Sequence, residues 1–234
     1  MIPWLRAHDP FPALDRALGE PNGLLAAGGS LEPSSLVTAY RAGIFPWSSE
    51  GEPLLWWSPD PRMVLFVDEF KVSRSLRKRL RERRFELRVD TACAEVIRAC
   101  AAPREDQGGT WITSGVLEAY CELHRRGYVH SVESWRDGIL VGGLYGVALG
   151  RVFFGESMFA RDTDASKVAL VHLVGLLRAR GVPLVDCQQE TGHLASFGAR
   201  PIARARFAAL LAELIHSNEP PEGWRQGIPH DESA

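Results

Sequence analysis

Two leucines four residues apart in an otherwise basic stretch define the first element. In KVSRSLRKRLRERR, residues 71–84, Leu76 and Leu80 share one face of a helix, with Ser73 as a candidate N-cap. Thr91 is positioned to open a second helix through Ala94, Val96, Ile97 and Cys100, and Arg104 to Gly109 reads as a loop. Ser114 to Gly127 reads as a third helix, with Val116, Leu117, Tyr120 and Leu123 on one side and a glycine past its end. The period changes at Tyr128. In YVHSVESWRDGILVGGLYGVALGRVFFGESMF, apolar and β-branched runs are broken at Asp137-Gly138 and Leu149-Gly150, which predicts a meander of three antiparallel strands. A long helix follows from Ala165 to Arg180, stopped by Gly181, then a short apolar strand from Pro183 to Cys187 and a last helix around Phe207 to Ile215.

The first sixty residues carry no such regularity. Pro21-Asn22-Gly23, Gly28-Gly29, Phe45-Pro46-Trp47 and the run WWSPDP break the chain repeatedly, so residues 1–62 read as a small irregular lobe. Within it, Ser30 or Ser34 would cap a short helix through Leu36 and Tyr40 that stops near Gly43. Strands, helix and strand in that order predict an α/β (α+β) fold over residues 63–216, with a mixed, mainly antiparallel sheet and a crossover. Residues 217–234 read as a polar tail. No internal repeat is visible.

Composition narrows the class. Hydrophobic residues make up 45% and charged residues 24% of 234, which excludes a disordered chain and supplies enough apolar surface for a full core. The formal net charge of -2 does not argue against a nucleic-acid partner, because positive charge is concentrated in residues 71–84, with eight basic residues against one acidic. Cys93, Cys100, Cys121 and Cys187 form no CxxC pair, which argues against a zinc site or a disulfide scaffold. No apolar stretch is long enough for a signal peptide or a membrane span, so a cytoplasmic protein is expected.

Seven stretches, spread over residues 22–200, together resemble the leucyl/phenylalanyl-tRNA–protein transferase family. They are GLLAAGGSLEPSSLVTAYRAGIFPW, LLWWSPDPR, GTWIT, HSVESWRDGILVGGLYGVALG, FFGESMF, ASKVAL and VDCQ with HLASFGA. The resemblance implies a GNAT acyltransferase-like domain behind the small lobe. It also implies transfer of Leu or Phe, with Met as a further donor, from aminoacyl-tRNA to the N-terminal Arg or Lys of acceptor proteins. That transfer would mark them for degradation dependent on the N-terminal residue. No metal and no cofactor is implied, and a monomer is expected.

An aminoacyl ester is already activated, so such an enzyme must place an amine near the ester carbonyl and help remove a proton. Asp186 and Gln188, two apart at the end of a strand, would face the same way and flank one cleft; the resemblance makes them the catalytic pair. The competing readings are that Asp186 caps the following turn, or that the terminal ribose of the tRNA assists the reaction itself. Glu156 interrupts an apolar strand, where an unpaired charge is costly. It would hold the acceptor together with Thr191, or else form an internal salt bridge with an arginine.

Leu144, Phe153, Met158, Leu170 and Val185 match the family's donor side-chain pocket, although each alone would serve as core. Trp47 and Trp111, in loop-like contexts, would stack on the terminal adenine, while Trp56 and Trp57 read as core. Arg74, Arg77, Lys78 and Arg81 would meet the tRNA backbone, against the ordinary reading of a solvated face. Two other functions compete. One is another GNAT-like acyltransferase, using acetyl-coenzyme A or making cell-wall peptides, though FARDTDASKVAL lacks the glycines of a pyrophosphate loop before its helix. The other is a non-catalytic tRNA-binding module.

Overall fold

The computed structural model describes residues 2–102, 110–221 and 223–224. The loop expected at Arg104 to Gly109 lies outside the described residues. The N-terminal segment forms a four-stranded sheet from β1 (Trp4–Leu5), β2 (Leu24–Gly28), β3 (Phe45–Pro46) and β4 (Leu55–Trp57), ordered β1-β2-β4-β3. Between β2 and β3 runs α1 (Pro33–Arg41). Neither Ser30 nor Ser34 caps it: Glu32 is the N-cap residue and Pro33 takes the first turn, where its missing N–H costs nothing. The helix ends two residues before Gly43, whose φ of +79° suits only glycine without strain.

The second sheet has seven strands in the order β11-β5-β10-β9-β8-β7-β6. It starts with β5 (Arg62–Phe66), after which come α2 (Arg74–Arg81), β6 (Glu86–Val89), α3 (Cys93–Ala101) and α4 (Ser114–Arg125). The expected meander follows as β7 (Val129–Arg136), β8 (Ile139–Leu149) and β9 (Val152–Ala160). Then α5 (Ala165–Ala179) carries the chain across to β10 (Leu184–Gln188), which pairs in parallel with β9. The short α6 (Gly192–Ala195), β11 (Arg200–Ile202) and α7 (Arg204–Leu214) complete the fold.

Ser73 caps α2 as its position suggests, accepting the Leu76 N–H. Thr91 does not cap α3. The Thr91 and Ala92 amides instead donate to the buried carboxylate of Glu133, at 3.0 and 2.8 Å, so a side chain from β7 satisfies the donors ahead of the helix. Most of the expected C-terminal tail lies outside the described residues. Trp224, within them, is buried and stacks on His130 with ring centroids 4.3 Å apart.

The large sheet is covered on both faces. On one, α5 and α2 bury Leu144, Phe153, Leu170, Leu173 and Val185. On the other, α1, α3, α4 and α7 join residues of the small sheet around Tyr40, Trp56, Tyr120, Tyr145 and Phe154. The glycines of GGLYG make this packing possible. A Cβ on Gly142 would come within 2.4 Å of Ala165 at the start of α5, and one on Gly146 within 2.2 Å of the Phe154 carbonyl.

Candidate active site

The parallel ladder between β9 and β10 runs only from Val152 opposite Leu184 to Phe154 opposite Asp186. Just past it, both strands carry an irregularity. The β8–β9 register jumps from Ser157 to Gly155, which leaves Glu156 as an extra residue. The β10–β5 register jumps between Asp186 and Gln188, and Gln188 takes a φ of +60°. Bulges of this kind bend a strand and re-aim its side chains. Glu156, Asp186 and Gln188 are thereby brought into one polar cluster inside an otherwise apolar layer.

Asp186 is fully buried and forms a bidentate ion pair with Arg62, Nε to Oδ1 at 2.8 Å and Nη2 to Oδ2 at 2.6 Å. Arg62 is equally buried. Its guanidinium lies between the rings of Phe45 and Phe207, 4.7 Å from each centroid, and donates to the Gly43 carbonyl at 3.2 Å. The Gln188 backbone N–H donates to Asp186 Oδ1 at 2.9 Å, an Asx-type contact that stabilises the unusual backbone of Gln188.

Glu156 has no arginine partner among the described residues, which removes the internal salt bridge as an explanation for its burial. Tyr40 Oη donates to Oε1 at 2.7 Å, Tyr120 Oη to Oε2 at 3.2 Å and Gln188 Nε2 to Oε1 at 3.1 Å. The two phenols also touch each other. Burial pushes the Glu156 carboxyl up to about 7, opposed by the hydrogen bonds from Tyr40 and Tyr120 and by Arg62, and reinforced by Asp186. Both phenols are pushed well above their usual range, burial first and Glu156 second, and so remain donors. Burial likewise pushes the adjacent Cys187 thiol up, so it offers no thiolate nucleophile.

The remaining expected site residues fall around this cluster unequally. Leu144, Phe153, Leu170 and Val185 are buried together, with Met158 partly buried against them, on the α5 face of the sheet. Glu156 and Asp186 meet partners from the opposite face of the sheet. Trp111 is half-buried and lies edge-on to Tyr120, 6.3 Å between centroids, one ring away from Glu156. Trp47 is 39% exposed and tilts against Trp57 at 5.8 Å, while Trp56 is fully buried. Thr191 uses its hydroxyl to cap α6, accepting the Leu194 N–H at 3.3 Å, and does not join the hydrogen bonds of Glu156.

On α2, Arg74, Arg77, Lys78 and Arg81 are all exposed and form no ion pair among the described residues. At 3.6 residues per turn, Arg74, Lys78 and Arg81 point away from Leu76 and Leu80, and Arg77 lies on the flank between the two faces. Arg79 pairs with Glu82 and Asp164.

Arg62, Tyr40 and Tyr120 escaped the sequence reading. Arg62 and Tyr40 lie inside two of the quoted stretches and Tyr120 on an apolar helix face, but no local signal marks their side chains as partners of Asp186 and Glu156.

Residues 64–212 match the family model described as leucyl/phenylalanyl-tRNA protein transferase, and residues 29–60 match the model of its N-terminal domain. A leucyl/phenylalanyl-tRNA--protein transferase of Azoarcus sp. is 61% identical over 224 residues, covering 96% of this chain and 95% of the relative. Another, from Chromobacterium violaceum, is 57% identical over 233 residues and covers 100% of both. Among solved structures, L-PGS from Bacillus licheniformis superposes with a TM-score of 0.43 at 10% identity, over 83% of this chain and 73% of that one. A GCN5-related N-acetyltransferase from Kribbella flavida gives 0.35 at 13% identity, over 69% and 57%. No helix among the described residues is long and apolar enough to cross a membrane.

Proposed function

The chain belongs to the leucyl/phenylalanyl-tRNA protein transferase family, and on that premise we propose that it moves Leu or Phe from aminoacyl-tRNA to the N-terminal Arg or Lys of acceptor proteins. The full-length likeness to relatives of that name carries this reading. The polar cluster supplies a chemical reason for it, because two carboxylates, one amide and two phenols converge beside an apolar face.

In this reading, the donor side chain sits among Leu144, Phe153, Met158, Leu170 and Val185, where selection by size rests on apolar contact alone. Trp47 and Trp111 stack on the terminal adenine, and Arg74, Arg77, Lys78 and Arg81 meet phosphates. Glu156 and Thr191 hold the acceptor, while Asp186 and Gln188 assist loss of a proton from its amine. The amine then attacks the ester carbonyl, the C–N bond forms, and the ribose oxygen leaves as a hydroxyl. Placing both reactants accounts for much of such a rate enhancement, because the ester is already activated. Residues 1–62 act as a small lobe and 63–216 as the GNAT-like transfer domain, in a cytoplasmic monomer.

The test is to mix the protein with charged Phe-tRNA and a peptide beginning in Arg, and to look for a gain of one Phe residue by mass. The same peptide beginning in Ala should gain nothing. Gain on both, or on neither, would defeat the assignment.

A further inference from the structure

We infer that Trp224 is a positioning residue of the donor side-chain pocket: it holds the ring of Phe153 in place as one wall and so sets how large a donor side chain fits. This rests on the transfer reaction and the pocket proposed above. The segment after α7 supplies the residue by changing faces of the large sheet. α7 packs with Tyr40, Trp56 and Phe154 on one face, whereas Trp224 is buried on the other, in the cluster that holds Leu144, Phe153, Leu170 and Val185. On the way the chain is tied down twice. Tyr128 Oη donates to the Asn218 carbonyl at 2.8 Å, and Arg180 Nη2, just past the end of α5, donates to the Gly223 carbonyl at 2.9 Å.

Three neighbours fix the indole. It stacks on His130 with centroids 4.3 Å apart and planes 10° from parallel, and on Phe153 at 5.6 Å and 29°, while the Arg180 guanidinium lies 5.2 Å from its ring centroid. His130 is itself buried and held at both ring nitrogens, Nδ1 2.7 Å from Asp90 Oδ2 and Nε2 3.0 Å from the Gly127 carbonyl. Phe153 joins this group to the pocket. On β8 the α5 face carries Leu144, Gly146 and Ala148 in alternation, and a Cβ at Gly146 would come within 2.5 Å of Phe153 Cε1 and 2.6 Å of its Cζ. The Phe153 ring thus fills the gap that the glycine leaves next to Leu144, with Trp224 stacked against it.

Apolar contact discriminates only weakly per methylene, so selection by size depends on where the pocket wall stands. A phenylalanine side chain has a few staggered positions, and packing alone decides which one Phe153 takes. Deleting the indole leaves a void that the surrounding core fills only in part, and the Phe153 ring stacked on it can turn into that void. The wall then recedes. A Leu donor loses its contact with Phe153, whereas the longer Phe side chain still reaches it. A tryptophan that only anchored the end of the chain would change stability and leave the donors ranked as before.

The experiment compares kcat/KM for Phe-tRNA and Leu-tRNA as donors to one Arg-starting peptide, with the full chain. Trp224→Ala should raise the Phe-to-Leu ratio by about 10-fold, mainly through loss of Leu transfer. Trp224→Phe keeps a ring against Phe153 and should hold the ratio close to that of the unaltered protein. Arg180→Ala loosens the tether to Gly223 without emptying the core; it should move the ratio in the same direction, and it keeps the proposal testable should Trp224→Ala fail to fold. Equal losses for both donors, with an unmoved ratio in whichever of these two variants folds, would overturn the inference. Leu144→Phe, measured alongside, separates the two levels: a ratio that moves there but not in Trp224→Ala keeps the pocket and removes Trp224 from it. Absence of transfer by the unaltered protein from either donor would instead overturn the family reaction itself.

Discussion

Replacing Arg62 by Met would remove the cation paired with Asp186 inside the core, while retaining an apolar stem between Phe45 and Phe207. The variant loses two charge-assisted hydrogen bonds of 2.8 and 2.6 Å, one to the Gly43 carbonyl at 3.2 Å, and two cation–π contacts at 4.7 Å. The largest cost lies in what remains. Asp186, with no exposed surface, would keep only the Gln188 N–H, and breaking a buried pair from one side costs about 3–5 kcal/mol. Asp186→Asn alone strands the guanidinium and should cost about as much. The double variant removes both charges, so its loss should fall short of the two single losses together by at least about 2 kcal/mol. Urea unfolding at pH 7 measures all four corners of this cycle, with an unchanged m-value as the sign that the denatured state is the same. If Arg62→Met costs less than about 1 kcal/mol, or if the two changes add to within about 0.5 kcal/mol, the pair is not the anchor that its burial implies.

Three further outcomes are expected. Glu156 has a carboxyl raised from 4.5 to about 7, a difference worth about 3 kcal/mol. Its contribution to stability is present below pH 4.5, declines from there to about 7 and is absent above it. Glu156→Gln should therefore gain stability relative to the unaltered protein by about that amount between pH 4.5 and 8, and a pH-independent difference in urea melts would contradict the burial argument. Arg77→Ala combined with Arg81→Ala should weaken tRNA binding irrespective of the amino acid carried and flatten the salt dependence by about 0.7–0.9 log units per lost phosphate contact; an unchanged slope removes α2 from the interface. Leu144→Phe should lower the ratio of kcat/KM for Phe to that for Leu as donor, and an unchanged ratio would return Leu144 to the role of plain core.

Local pattern carried much of the architecture. The alternation and the Asp137-Gly138 and Leu149-Gly150 breaks delimit β7, β8 and β9, and Gly181 ends α5 within a residue of its expected stop. Such elements depend on neighbours a few positions away, so they are legible in one dimension. Where a distant side chain intervened, local reasoning failed: Glu133 supersedes a cap by Thr91, and His130 gives Trp224 a place within an expected tail.

Sequence by itself determined the order of the elements, the amphipathic basic helix and, through the quoted motifs, the choice of Asp186, Gln188 and Glu156 as residues of interest. Only the tertiary structure decided what those residues are bonded to. Arg62 reaches Asp186 across 124 positions, and Tyr40 reaches Glu156 across 116. Strand parity alone set Asp186 and Gln188 side by side, whereas bulges in β9 and β10 bring in Glu156 and leave the two carboxylates different partners. The physical reason is that a carboxylate's chemistry depends on its burial and on the charges and donors around it. Those surroundings come from α1, α4, β5 and α7, elements far apart along the chain that meet only when the sheet is covered.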